Sequence, residues 1–255
     1  MRSPTLRKAL RYWTTVGPSA TLKVGAKTLL QFAHAFVSVP RSQFSDLEAL
    51  VDFTFTTSGG FIRPTQDRSE LMQLARLVSD LKPRTVLEIG TAKGGTFFLF
   101  TRLAAPDAHL ISVDLPGGQF GDGYPIWRAP LYRSFAQRGQ HIDLLRADSH
   151  SYETRIKLEA LLKGKKIDFL FIDADHTYEG VKTDFEMYRP LVRPGGLIGF
   201  HDITEYNDKL TAPGWAERVS FGVNRFWDET KTSFRHFEFI RDPTRNYGIG
   251  VIVAD

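Results

Sequence analysis

Thr85-Val86-Leu87-Glu88-Ile89-Gly90-Thr91-Ala92-Lys93-Gly94-Gly95 decides the reading of this chain, because a short β-rich apolar run passes straight into a glycine-rich turn and then into a helical pattern. Such a turn lets the backbone approach a ligand closely and aims the amides of a helix N-terminus at it. The spacing is not G-x-G-x-x-G. Thr91-Ala92 stand where the dinucleotide fingerprint needs its second glycine, which weakens a nicotinamide or flavin reading. Asp114 ends the next apolar run, 20 residues beyond Gly94, where a carboxylate can accept hydrogen bonds from both hydroxyls of a ribose. The plain alternative is a tight turn and a solvated acid.

Working outward from this turn, short apolar runs alternate with helical stretches. The runs are Thr85–Ile89, His109–Asp114, Ile142–Arg146, Ile167–Asp173 and Leu197–His201, and the helical stretches lie near Gly95–Ala105, Arg128–Arg138, Tyr152–Leu162 and Tyr178–Leu191. Parallel neighbours need crossover connections, so this alternation predicts a mostly parallel sheet covered on both faces. After a helix near Val223–Thr230, the runs Phe234–Ile240 and Tyr247–Val253 are joined by only Arg241–Asn246, which favours an antiparallel pair. The expected fold is α/β, a doubly wound, Rossmann-like, mostly parallel seven-stranded sheet with an antiparallel C-terminal strand pair and an N-terminal helical arm.

We expect residues 1–60 to form the arm and 61–255 the ligand-binding domain. In the arm, Leu6, Leu10 and Trp13 recur at helical spacing before Gly17-Pro18, and Leu22, Ala26, Leu29, Ala33 and Phe36 do so before Pro40. Ser45 with Glu48 has the pattern of a capping box opening a third helix that stops by Gly59-Gly60. Asp67 with Glu70 opens a fourth, whose Leu71, Leu74, Ala75, Val78 and Leu81 share one face before Pro83. Residues 1–45 hold seven Lys/Arg and no Asp/Glu, which leaves 26 basic and 29 acidic residues in the body. The basic character therefore belongs to the arm.

With 42% hydrophobic and 24% charged residues the chain reads as an ordinary globular protein. There is no cysteine, so thiolate ligands, thiolate nucleophiles and disulfides are excluded. The sequence has no apolar run of membrane-spanning length and no signal-peptide pattern at its start, so a cytoplasmic location is expected.

Two further motifs carry chemistry: Phe171-Ile172-Asp173-Ala174-Asp175-His176 and, after Pro194-Gly195-Gly196, Phe200-His201-Asp202. Each puts an acid at the carboxyl end of an apolar strand, the end at which open α/β sheets bind ligands. Two such carboxylates can hold a hard divalent cation with positions left for substrate oxygens. Alternatively, they only shape a polar pocket. His176 titrates near neutrality and could take a proton from an alcohol, or it could simply hydrogen-bond a loop. Asp175 could cap the helix that follows. Leu115–Pro125 is either a mobile flap or a surface loop, and Trp127, Trp215, Phe221 and Trp227 could line a pocket or fill the core.

Taken together, these residues resemble the class I S-adenosylmethionine-dependent methyltransferases over about residues 61–255. Glu88, Gly90, Thr91 and Gly94 correspond to the first motif of that family, which surrounds the methionine moiety. Asp114 corresponds to the ribose-binding acid, and Asp148 with Ser149 to the place that meets the adenine. The later motifs look like those of metal-assisted O-methyltransferases of the catechol, caffeoyl-CoA and macrolide-sugar kinds. That resemblance implies Asp173 and Asp202 as metal ligands, with His201 beside them and His176 as general base. His201 departs from the pattern, which has a carboxylate there; an imidazole suits manganese, iron or zinc better than magnesium.

The resemblance implies S-adenosyl-L-methionine as cofactor, a divalent metal (Mg or Mn), and a small-molecule hydroxyl acceptor such as a sugar or hydroxylated natural product. An NAD(P)-dependent oxidoreductase and a non-catalytic adaptor on the same fold are the competing classes. Nucleic acid is not expected as a partner, because the body has no basic stripe and Asp173-Ala174-Asp175-His176 is not the Asn/Asp-Pro-Pro-aromatic motif of nucleic-acid N-methylation. Arg7, Lys8, Arg11, Lys23 and Lys27 suggest a contact of the arm with an anionic membrane surface. The rival uses of the arm are a homo-oligomer contact, expected here, and a lid over the active site.

Overall fold

The computed structural model describes residues 18–117, 123–205 and 221–255. Seven strands form one sheet: β1 (Thr85–Ile89), β2 (His109–Val113), β3 (His141–Leu145), β4 (Ile167–Ile172), β5 (Val192–His201), β6 (His236–Phe239) and β7 (Ile249–Val253). Their spatial order is β3-β2-β1-β4-β5-β7-β6. The first five run parallel, while β7 is antiparallel to both β5 and β6. This is the expected doubly wound sheet with its antiparallel end.

The helices are α1 (Pro18–Arg41), α2 (Leu47–Gly60), α3 (Arg68–Leu81), α4 (Gly95–Leu103), α5 (Ala129–Arg133), α6 (Tyr152–Leu162), α7 (Tyr178–Tyr188) and α8 (Val223–Lys231). Alternation along the strands sends Val86, Leu110, Phe169 and Phe171 into one core layer, where they meet α1 to α5. The intervening Leu87, Ile89, Ile111, Leu170 and Ile172 enter the opposite layer against α6 to α8. Both layers are apolar because side chains on a strand point alternately to the two faces of the sheet. The described part of the arm shares the first layer, through buried Ala35 and Val39 of α1 and Leu50 and Val51 of α2.

Three local expectations are corrected. The cap of α2 is Asp46, which accepts from Ala49 N at 2.8 Å, while Ser45 donates to Asp46 and Glu48 pairs with Arg68. A carboxylate one residue along outcompetes the hydroxyl and shifts the helix start. Asp67 does cap α3, but Glu70 is buried and accepts from Arg241 N and Gly248 N, tying the helix to the β6–β7 hairpin and not to its own cap. The helix expected over 128–138 is only α5, preceded by a 3₁₀ turn over Ile126–Arg128. Ser134 donates back to Leu131 O, and the chain turns at Gly139 with φ +97°.

The helix expected around Leu6–Trp13, the basic residues Arg7, Lys8 and Arg11, the middle of the Leu115–Pro125 loop and Trp215 lie outside the described residues. Of the other aromatics, Trp227 is core, donating from Nε1 to Glu238 at 2.6 Å. Trp127 packs edge-on to Phe32 of α1.

Candidate functional site

The strand order lines up five loops along the carboxyl edge of the sheet: those after β3, β2, β1, β4 and β5. Every residue singled out from the sequence as a site candidate lies on or beside one of these loops. The loop after β1 is built by close approach. Gly90 has φ +95°, and a Cβ there would come within 1.9 Å of Asp173 O. Gly94, at φ +88°, opens α4 and faces the Tyr132 ring, which a Cβ would meet at 2.8 Å. Only glycine satisfies both the left-handed backbone and the contact.

Around this turn the polar groups are buried and specific. Thr91 shares a 2.6 Å hydroxyl hydrogen bond with Ser112. Ala92 N donates to Asp114 Oδ2 at 2.6 Å, and Tyr132 donates its hydroxyl to Ala92 O at 2.8 Å. Burial pushes the Asp114 carboxyl up to about 6, against the pull of amides from Ala92 and Tyr124. Glu88 is wholly buried, and neither carboxylate oxygen has a hydrogen-bond partner among the described residues. Burial pushes its carboxyl up to about 8, while the neighbouring hydroxyls of Thr96 and Thr91 pull the other way. A buried carboxyl group that makes no hydrogen bond of good geometry among the described residues, beside a glycine turn, suits a ligand that donates to it. The cradle thus fits a ligand that brings a cation or several N–H or O–H groups.

Asp148 and Ser149 stand on the loop after β3 and are held separately. Asp148 is exposed and accepts from His150 N at 2.9 Å, whereas Ser149 is buried and its carbonyl accepts from the Tyr188 hydroxyl at 2.6 Å.

The loops after β4 and β5 form the second half. Asp173 Oδ1 lies 3.2 Å from His201 Nδ1, Asp202 Oδ1 lies 3.1 Å from the same nitrogen, and Asp202 Oδ2 lies 3.0 Å from His176 Nδ1. Gln66 donates its amide to Asp173 Oδ2 at 2.5 Å. The sequence reading missed Gln66; it lies in a loop 107 residues from its partner, and no motif marks it.

Burial disfavours the charged form of His201, but Asp202 and Asp173 outweigh it and lift the imidazole to about 9. His176 is raised in the same way, with burial opposed and overcome by Asp202. Asp202 is held below the usual carboxylate range, because His201 and His176 overcome its burial. Its backbone sits at φ +62°, a conformation that Asp tolerates better than most residues. Thr177 caps α7 by accepting from Gly180 N, and Asp175 accepts from Thr177 N, so the cap belongs to Thr177.

One ligand atom from each of Asp173, His201 and Asp202 lies within 4.8 Å of the others, and His201 Nε2 is buried with no partner among the described residues. Two carboxylates and an imidazole fit a divalent ion of the manganese, iron or zinc kind. A small recess, with room for about one water, opens beside Asp202 and is lined by Thr204, Phe221, Val223, Asn224 and Asn246. Phe221 also packs against His176, with ring centroids 5.9 Å apart.

Comparison with known proteins agrees with this architecture. Residues 87–203 match a family model described as a methyltransferase domain. An uncharacterized protein of Sinorhizobium fredii is 30% identical over 158 residues, covering 60% of this chain and 16% of that protein. One of Acanthamoeba polyphaga mimivirus is 30% identical over 141 residues, covering 55% and 58% respectively. The chain thus spans well under two thirds of the length of either relative.

Among solved structures, an O-methyltransferase of Bacillus cereus in complex with SAH is 19% identical at a TM-score of 0.51, covering 89% of this chain and 99% of that one. An O-methyltransferase of Streptomyces achromogenes involved in tomaymycin synthesis, in complex with SAM, is 16% identical at 0.52, covering 90% and 99%. A Staphylococcus aureus structure described as a candidate caffeoyl-CoA O-methyltransferase is 19% identical at 0.57, again covering 90% and 99%. These structures share the fold. The domain match over residues 87–203 agrees with the resemblance to methyltransferases read from the motifs.

Proposed function

We propose that this chain transfers a methyl group from S-adenosyl-L-methionine to a hydroxyl oxygen of a small molecule, with a divalent cation at Asp173, His201 and Asp202 and with His176 as general base. What carries the reading is the meeting of Asp173, His176, His201 and Asp202 directly against the Gly90 turn. A donor bound over that turn would present its methyl group to the same space. The groups around the recess beside Asp202, Phe221 with Asn224 and Asn246, offer an apolar ring and two amides to a small acceptor that carries hydroxyls.

When bound, S-adenosyl-L-methionine supplies the methyl group, and the cation acidifies and orients the acceptor hydroxyl. The protein's residues do the rest. Glu88 and the turn after β1 hold the methionine end, Asp114 the ribose, and Asp148 with Ser149 the adenine. Gln66 fixes one oxygen of Asp173 and thereby aims the other. Asp202 orients the His176 ring through Nδ1 and stabilises the imidazolium that forms when His176 takes the hydroxyl proton. Alignment of oxygen, methyl carbon and sulfur supplies much of the acceleration, and proton removal the remainder.

The test is calorimetry with S-adenosylhomocysteine followed by methyl transfer to a panel of catechols, sugars and hydroxylated aromatics. Binding in the micromolar range is expected, with turnover lost in EDTA and restored by Mn²⁺ or Mg²⁺. His176→Ala should lose about 10²- to 10⁴-fold in kcat and keep its affinity for S-adenosylhomocysteine. A folded sample with no affinity for that product overturns the assignment. Turnover indifferent to EDTA overturns the metal alone.

The arm supports a second proposal, that α1 is a contact surface. Leu29, Leu30, Phe36 and Val37 are exposed on the side away from the core, with Lys23, Lys27 and Arg41 alongside them. Contiguous exposed apolar side chains of this kind mark contact surfaces. We take this one as a homo-oligomer contact, with an anionic membrane surface as the rival. No helix among the described residues is long and apolar enough to cross a membrane. Leu30→Asp with Val37→Asp should convert a dimer to a monomer in sedimentation. If the protein is a monomer throughout and floats with anionic liposomes only when unsubstituted, the membrane reading replaces it.

A further inference from the structure

We propose that His109, His141 and Asp143 form a second metal site, for a divalent transition ion of the zinc type, at the end of the sheet opposite the site described above. His109 opens β2 and His141 opens β3, and the two are directly paired in the parallel ladder. Asp143 follows two residues later, so its side chain emerges on the same face of β3. Its Oδ2 lies 2.8 Å from His109 Nε2 and 3.2 Å from His141 Nε2, with the two rings 5.2 Å apart. Among the described residues, this trio and the Asp173, His201, Asp202 trio are the two groups whose ligand atoms come close enough to share one ion.

The separations are close to those of ligands that share one ion. Zinc bonds nitrogen and oxygen at about 2.0 to 2.2 Å, which puts the ligands of a tetrahedral ion about 3.3 Å from one another. The observed separations from Asp143 need to open by only a few tenths of an ångström. Without an ion, His109 hydrogen-bonds Asp143 Oδ2 and His141 Nε2 lies 3.2 Å from the same oxygen. With one, both lone pairs and the carboxylate charge are used at once.

Two imidazoles and one carboxylate favour zinc, cobalt or nickel over magnesium or calcium. The side chains of His109 and Asp143 are 17% and 27% exposed, whereas that of His141 is 70% exposed and leaves a path for the ion. The ligands sit on paired strands, a rigid support, and β3 is the edge of the sheet. An ion there would clasp that edge strand to β2. The far ends of the same two strands, about 16 Å away at 3.3 Å per residue, lead into Asp114 and Asp148. The role we assign is therefore to brace the strands that carry these two acids, with no part in the chemistry.

Equilibrium dialysis of the full chain against micromolar Zn²⁺ tests this. Asp173→Asn with Asp202→Asn serves as the background, so that the other cluster does not contribute. About one zinc per chain is expected there, with at least about 100-fold weaker binding once His109→Ala and His141→Ala are added. In the otherwise unaltered chain, Asp143→Asn should weaken one of two zinc sites about ten-fold. Zinc should also raise the melting temperature of the background protein by several degrees and leave the double-histidine variant unmoved. No zinc bound by the background protein, or equal binding by its double-histidine variant, overturns the site. Should the background variant fail to fold, an Asp143→Asn chain binding as much zinc as the unaltered protein, and as tightly, overturns it equally.

Discussion

The loop after β1 and the loops after β4 and β5 face the same space but are held in opposite ways. The first is held by contact distance: Gly90 and Gly94 exist as glycines because backbone and ring stand where a side chain would be, and Glu88 beside them has no hydrogen-bond partner among the described residues. The second is held by charge, since Asp173, His201, Asp202 and His176 pair with one another in a chain of contacts near 3 Å. The difference teaches that steric errors in the first region should cost the fold outright, whereas neutral substitutions in the second should cost chemistry most and the fold less.

The largest expected effect breaks the steric half. Gly90→Ala puts a methyl group onto Asp173 O in a left-handed backbone, and should cost about 3 to 5 kcal/mol of stability. Thermal melting and S-adenosylhomocysteine calorimetry would read it, and a variant as stable as the parent would refute the contact. Next comes the charged half. Asp202→Asn keeps a residue that tolerates the left-handed backbone but removes the partner of two buried imidazoles, so methyl transfer should fall about 10²-fold or more while the melting temperature falls by less than in Gly90→Ala. Equal loss of stability and activity would erase the contrast between the regions.

Glu88 sharpens the comparison through pH. Its carboxyl is at about 8 in the fold against an ordinary 4.5. As pH rises, the unfolded chain releases this proton first, so the stability associated with the group is full below about 4.5 and is lost as pH passes through about 8. Glu88→Gln should flatten the fall in melting temperature between pH 5 and pH 8 and weaken S-adenosylhomocysteine about ten-fold, because an unpartnered buried acid is worth about 1 to 3 kcal/mol. A parallel pH profile in the variant would show that Glu88 is not the group responsible. Smallest is Thr177→Ala, which removes the cap of α7 and should cost about 1 kcal/mol. A kcat reduced less than three-fold would show that Asp202, and not the cap, sets the position of His176.

How far the site could be read from the chain follows the same division. Strand-end acids and glycine turns are local patterns, so Glu88, Gly90, Gly94, Asp114, Asp173 and Asp202 were legible from the run of residues around each. Glu70 and Gln66 were not. Glu70 stands where a capping box wants a glutamate, yet its partners are amides more than 170 residues away. Gln66 reaches Asp173 across a similarly unsignalled gap. The overlong expectation for α5 failed because helical spacing continued past a point where Ser134 and Gly139 favour turns.

The sequence by itself determined the order of strands and helices, the parallel sheet with its antiparallel end, and the acids that terminate the central strands, because periodicity and turn chemistry act over a few neighbouring residues. Only the tertiary structure decided which of these groups come within about 3 Å of one another, that Gln66 reaches Asp173, and that His109 and His141 meet across the sheet edge. Those facts depend on the register of strands and the packing of helices far apart in the chain, and at that range no local preference specifies a distance of 3 Å.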